Sequence, residues 1–135
     1  MTLPTLVLAI AALIGRGAPP PHVVTAIAQS CQAEAEAHPV DAEACAALVT
    51  TYAAHESSFR VGAYGDSGRS YGLLQLPAAW ARTLDTAGQV RAWLGLLRQG
   101  TLAGLDSSPS RAARRVALAS KILARVHDAE QEAKP

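Results

Sequence analysis

Apolar residues recur at helical spacing along most of this chain, and one long interruption falls near its middle. Val24, Ile27, Ala28 and Cys31 repeat at helical intervals behind Pro20 and Pro21, until "HPVD" at 38–41 ends the run. Asp41 is placed to cap a second helix, in which Cys45, Leu48, Val49 and Tyr52 form a stripe leading straight into His55 and Glu56. There the periodicity stops. Gly62, Gly65 and Gly68 are too closely spaced for a helix to persist, so 60–70 is expected to be an irregular loop or a small β-turn structure. Helix should resume near Pro77 and again after Asp85 and Thr86 through "VRAWLGLLRQ". A last helix covers "SPSRAARRVALASKILARV", with Ser108 as cap and Pro109 at the first helical position. The charged ending, 127–135, is expected to fray.

The first fourteen residues, "MTLPTLVLAIAALI", carry no charged side chain. A membrane span needs about 20 apolar residues, and Arg16, Gly17 and the prolines at 19–21 end this run too early, so no firm membrane anchor is expected. As an export signal the segment lacks a basic start, and the A-x-A at Ala26–Ala28 lies too far beyond the apolar run for an ordinary cleavage site. It is expected to be a first helix packed on the domain. An apolar terminal helix also suits docking to a partner such as a phage or secretion-system protein.

The length of 135 residues suits one domain: an apolar N-terminal helix over 1–19, a core over 20–126 and the charged tail over 127–135. Half of the residues are hydrophobic yet only 4% are aromatic, and alanine dominates, which favours packed helices over sheets. The expected fold class is mainly α. With 12 Lys and Arg against 11 Asp and Glu, the net charge of +1 gives no field that would draw nucleic acid. His22, His38, His55 and His127 are scattered without ligand spacing, so neither a metal nor another cofactor is implied. Cys31 and Cys45 fall near the connection of two antiparallel helices, where a disulfide bridge and two small buried hydrophobes fit equally well. A bridge would imply an oxidising compartment.

Glu56 is the candidate for chemistry. By spacing alone, a Glu at a helix end is most often a solvated charge. A carboxylate that ends an apolar stripe beneath a glycine-rich loop can also be desolvated, which raises a carboxyl pKa toward the range of a general acid. Glycosidic cleavage needs a protonated carboxyl beside the leaving oxygen, and often a second carboxylate.

The residues sharpen this. "ESSFRVGA" followed by "GRSYGLLQL" resembles the signature of lytic transglycosylases of the lysozyme-like superfamily, in which Glu-Ser-x-Phe ends a helix and Gly-Leu-x-Gln follows a loop. Glu56, Ser57, Phe59 and Ala63 match the first half, and Gly72, Leu73, Leu74 and Gln75 the second. The intervening loop is similar to a G-D-x-G-x-S-x-G form found in phage-associated relatives. The resemblance covers about residues 40–84. It implies a lysozyme-like helical domain with a glycine-rich element beside an active-site cleft, outside the cytoplasm or on a virion, cleaving the link between N-acetylmuramic acid and N-acetylglucosamine in a peptidoglycan strand. Glu56 would be the general acid and base, Ser57 its hydrogen-bonding neighbour, Gln75 and the Gly72 backbone the border of the saccharide groove, and Phe59 the core behind the loop.

Departures from that pattern are equally specific. Relatives carry a downstream Ala-Tyr-Asn-Ala-Gly segment, whereas this chain has no Asn at all and no Tyr after Tyr71. Either Tyr64 or Tyr71 takes over part of its work, or the protein is a non-catalytic structural or glycan-binding component. The region after Gln75 is short, so a groove wall around 98–110 must be built differently. Asp66, ten residues after Glu56, is the second carboxylate a hydrolytic mechanism would use; its alternative is a turn residue beside Gly65.

Overall fold

A computed structural model describes residues 1–100, 106 and 108–134. Helix α1 (Leu3–Ile14) starts at Thr2, whose hydroxyl accepts the Thr5 N–H, and stops at Gly15, which takes a left-handed φ of 74°. Its Leu6, Val7, Ile10 and Ala11 are buried, so the apolar N-terminal segment is part of the core. Leu8 and Leu13 stay exposed. Helices α2 (Pro21–Ala37) and α3 (Ala42–Ser57) form an antiparallel pair, the second capped by the Asp41 carboxylate on the Glu43 N–H. A Cys31–Cys45 disulfide joins them across a Cα–Cα distance of 5.6 Å.

Helix α3 is the centre of the molecule, packed against α1, α2 and the last helix, α6 (Pro109–Glu132). It is buried on nearly all sides, and Ala46, Ala47, Ala53 and Ala54 let its neighbours approach closely. Tyr52 and Trp93 of α5 (Thr86–Arg98) meet at 5.2 Å between ring centroids, joining the two halves of one continuous core. The cap foreseen at Ser108 is in place, accepting the Arg111 N–H, and Asp85 caps α5 by accepting the Gly88 N–H.

Between α3 and α5 the chain forms a three-stranded antiparallel sheet, β1 (Tyr64–Gly65), β2 (Ser70–Tyr71) and β3 (Leu76–Pro77), with a 3₁₀ turn at Asp66–Gly68. The single-turn helix α4 (Ala78–Ala81) follows directly. The fold is thus mainly α with a small β element. One expectation is corrected: the charged tail does not fray at 127, because α6 continues to Glu132. No Gly or Pro interrupts it there, and His127 pairs with Glu43 at 3.1 Å while Glu130 meets the N-terminal amine at 3.2 Å. Among the described residues, no helix is long and apolar enough to cross a membrane.

Candidate active site

The chain leaves α3 through two consecutive left-handed residues, Ser58 (φ 52°) and Phe59 (φ 65°), which reverse its direction and drive the Phe59 ring into the core. Glu56 is thereby left on the last turn of α3, facing the loop that returns through the sheet. A cleft of about 730 Å³ lies between them. Glu56, Asp66, Arg69, Gln75, Trp80 and Arg111 line it, so three candidates named from the sequence meet in one place.

The loop is shaped by side chains bonded to backbone. Gln75, itself left-handed at φ 53°, donates its amide nitrogen to the Ala63 and Gly72 carbonyls at 2.9 Å each. Its oxygen packs against Gly65, where any Cβ would collide with it. From the other side Gln89 of α5, 2% exposed, accepts the Leu73 N–H at 2.8 Å and reaches the Val61 and Leu84 carbonyls at 3.4 Å. Gly72, at φ 94°, presses on Gln89 so closely that a Cβ there would strike its amide.

Three expected roles change. Ser57 is buried and its hydroxyl lies 2.8 Å from the Leu73 carbonyl and 3.1 Å from that of Ala53, so it ties the helix to the loop and faces no substrate. Gly72 is buried against Gln89 and lies outside the cleft lining. Tyr64 and Tyr71 are cross-strand partners next to the Gly65–Ser70 pair that lines the cleft, so strand alternation sends their rings to the opposite face. There they pack on each other at 4.9 Å and cannot replace a groove tyrosine. Asp66 does both things weighed for it: it holds the turn by accepting the Ser70 hydroxyl at 2.8 Å, and it lines the cleft.

Glu56 has a charged partner that the sequence did not announce. Arg115 of α6 forms an ion pair with its Oε1, through Nη1, which also lies 3.4 Å from Asp106. Asp106, 1% exposed, receives Arg111 Nε at 2.8 Å, the Ser108 N–H at 3.2 Å and the Tyr52 hydroxyl at 3.3 Å. Burial works to raise the Asp106 pKa, but the bonds from Arg111 and Ser108 outweigh it and hold this carboxyl below its ordinary value. Burial first, and then the Asp106 charge, push the Tyr52 phenol up to about 12. The Arg115 guanidinium lies over the Tyr52 ring at 4.9 Å. A chain of alternating charge, Glu56–Arg115–Asp106–Arg111, thus backs the cleft.

Trp80, Gln89, Asp106, Arg111 and Arg115 join the site without having been singled out from the sequence. Trp80 carried a usable signal: a large aromatic just past the Gly-Leu-Leu-Gln segment, 38% exposed and lining the cleft. Arg115 sits 59 positions after Glu56, and nothing local announces that pairing. Of the groove wall expected around 98–110, residues 101–105 and 107 lie outside the described residues. Among those residues no group of His, Cys, Asp and Glu is arranged to hold a metal ion. His55 places Nδ1 2.8 Å from the Thr51 carbonyl, a contact within its own helix. The chain matches no family model, no curated protein and no solved structure.

Proposed function

We propose that this chain is a lysozyme-like lytic transglycosylase that cleaves the β-1,4 bond between N-acetylmuramic acid and N-acetylglucosamine in peptidoglycan, outside the cytoplasm. One observation carries the reading: Glu56, Asp66, Gln75 and Trp80, drawn from separate segments, line a single open cleft. Glu56 protonates the leaving glycosidic oxygen as the C1–O bond breaks. It then takes the proton of the muramic C6 hydroxyl, whose oxygen closes on C1 to give an anhydro end, with no water consumed. Trp80 offers a platform for one sugar face and Asp66 a negative charge near the developing cation. Proton donation requires Arg115 to leave Glu56. Asp106, already within 3.4 Å of the same nitrogen, is the partner to which it turns.

The ion pair itself favours a second reading, in which Glu56 is a structural anion holding α3 to α6 in a non-catalytic phage or secretion-system component. Incubation with peptidoglycan, followed by mass spectrometry of the sugar ends, separates the readings. Anhydro ends that disappear in Glu56→Gln support the transglycosylase. General-acid help alone contributes about 10²–10⁴, so the variant should lose at least that much rate with its fold unchanged. Hydrolysed ends, with an equal loss in Asp66→Asn, would make the protein a hydrolytic lysozyme. No product from the parent protein leaves the structural reading.

A further inference from the structure

On the other side of the Glu56–Arg115 pair, a trough runs between α1, α3 and α6. Two cavities of about 400 and 310 Å³ form it, joined through shared Arg16, His55 and Leu118. Aliphatic Leu13, Ile14, Leu118 and Ile122 contribute to its lining, and Arg114, Lys121 and Arg125 supply exposed cations. Arg111 borders both this trough and the cleft of Glu56. The two hollows therefore adjoin.

The cations are unanswered. From 107 to 127 the chain carries Arg111, Arg114, Arg115, Lys121 and Arg125 and no acid. Asp106 and Glu56 neutralise Arg111 and Arg115. Among the described residues, Arg16, Arg114, Lys121 and Arg125 have no carboxylate within ion-pair distance.

Shape and spacing narrow the choice of anion. Arg114 and Arg125 are separated by about 16 Å along α6 at roughly 1.5 Å per residue, too far for one small ion to bridge. An extended peptide covers that distance in about five residues. Aliphatic lining beneath a cationic rim suits a chain that alternates carboxylates with methyl groups. No Phe, Tyr or Trp lines the trough to stack a nucleobase.

We infer that the trough seats the short acidic peptide borne by the muramic residue, so that the substrate is the peptide-bearing strand. This rests on the glycan-cleaving reading of the adjoining cleft. The test measures binding and cleavage separately. Probes are glycan strands carrying their peptides, the same strands stripped by an amidase, the released peptide, and inorganic polyphosphate.

The parent protein should bind the peptide-bearing strand at least tenfold more tightly than the stripped one, and the preference should shrink with added salt. A triple Arg114→Ala, Lys121→Ala, Arg125→Ala variant should lose that preference while its kcat on stripped strands stays at the parent value; Lys121→Glu alone should act in the same direction if the triple variant folds poorly. Equal affinity for the two strands, or a preference surviving in both variants, would overturn the assignment. So would tighter binding of polyphosphate than of released peptide, which would give the trough to a phosphate polymer. Peptide preference without cleavage of either strand sinks the enzymatic reading and leaves the trough assignment standing.

Discussion

The helical body and the loop that follows α3 are held in shape by different forces. In the body, Leu6, Ile10, Ile27, Val49 and Trp93 are essentially fully buried among one another, and apolar burial has no preferred direction. From Ser57 to Pro77 the chain is shaped by directional bonds from Ser57, Gln75 and Gln89 to backbone groups. Phe59, Leu73, Leu74 and Leu76 anchor the loop in the same core as the body, while the path of its backbone beside the cleft depends on a few amides and one hydroxyl. Stability and site geometry should separate under mutation.

The largest stability effect belongs to the body. Ile10→Ala, at a fully buried position, should lower the unfolding free energy by about 2–5 kcal/mol in urea titration, with glycan cleavage retained well below the melting temperature. An equal loss of cleavage there would erase the distinction between the two regions. Breaking the Cys31–Cys45 bridge, by reduction or a double Ser variant, should cost about 3 kcal/mol for a loop of this length. The cleft, remote from that bridge, should keep its activity.

Gln89→Leu should show the opposite pattern. It leaves the Leu73 N–H and two loop carbonyls without their partner, a loss of about 1–3 kcal/mol. Cleavage should fall further than Ile10→Ala makes it fall, and the Leu73 amide should exchange its hydrogen faster; unchanged exchange would show that the clamp is not what holds the loop.

The smallest effect is expected from pH, through the charge chain that joins body to cleft. The Asp106 pKa is depressed in the folded protein, so its contribution is present above its ordinary value of 3.8 and is lost as pH falls through the lower folded value. The Tyr52 phenol is raised from 10.0 to about 12, so its contribution is present below pH 10 and disappears as pH rises through 12. Thermal melts across both windows, compared with Asp106→Asn and Tyr52→Phe, test the two arms.

Much of the body was legible because its signals are local. Prolines and the caps at Asp41 and Ser108 act within a turn, and the Cys45–Tyr52 stripe marks the helix that carries Glu56. The glycine-rich break located the loop, and Glu56, Asp66 and Gln75 do share a cleft. Local signals could not assign what each loop side chain faces. Strand register alone turned Tyr64 and Tyr71 away from the cleft, and the reversal at Ser58 and Phe59 buried Ser57. The end of α6 was misjudged for a related reason: charge composition suggested fraying, but contacts with Glu43 and the N-terminal amine come from segments far away in the chain.

The sequence by itself determined where most helices start, where the chain must turn, and which carboxylate stands at the turn, since capping, periodicity and glycine spacing act over a few residues. Only the tertiary structure decided that Arg115 pairs with Glu56, that Asp106 is buried between two arginines, and that Arg114, Lys121 and Arg125 of α6, without a carboxylate partner among the described residues, face a trough adjoining the cleft. Arg115 and Glu56 are 59 positions apart, and Tyr52 and Asp106 are 54 apart. Coulomb attraction and burial depend on distance in space, and helix packing sets that distance.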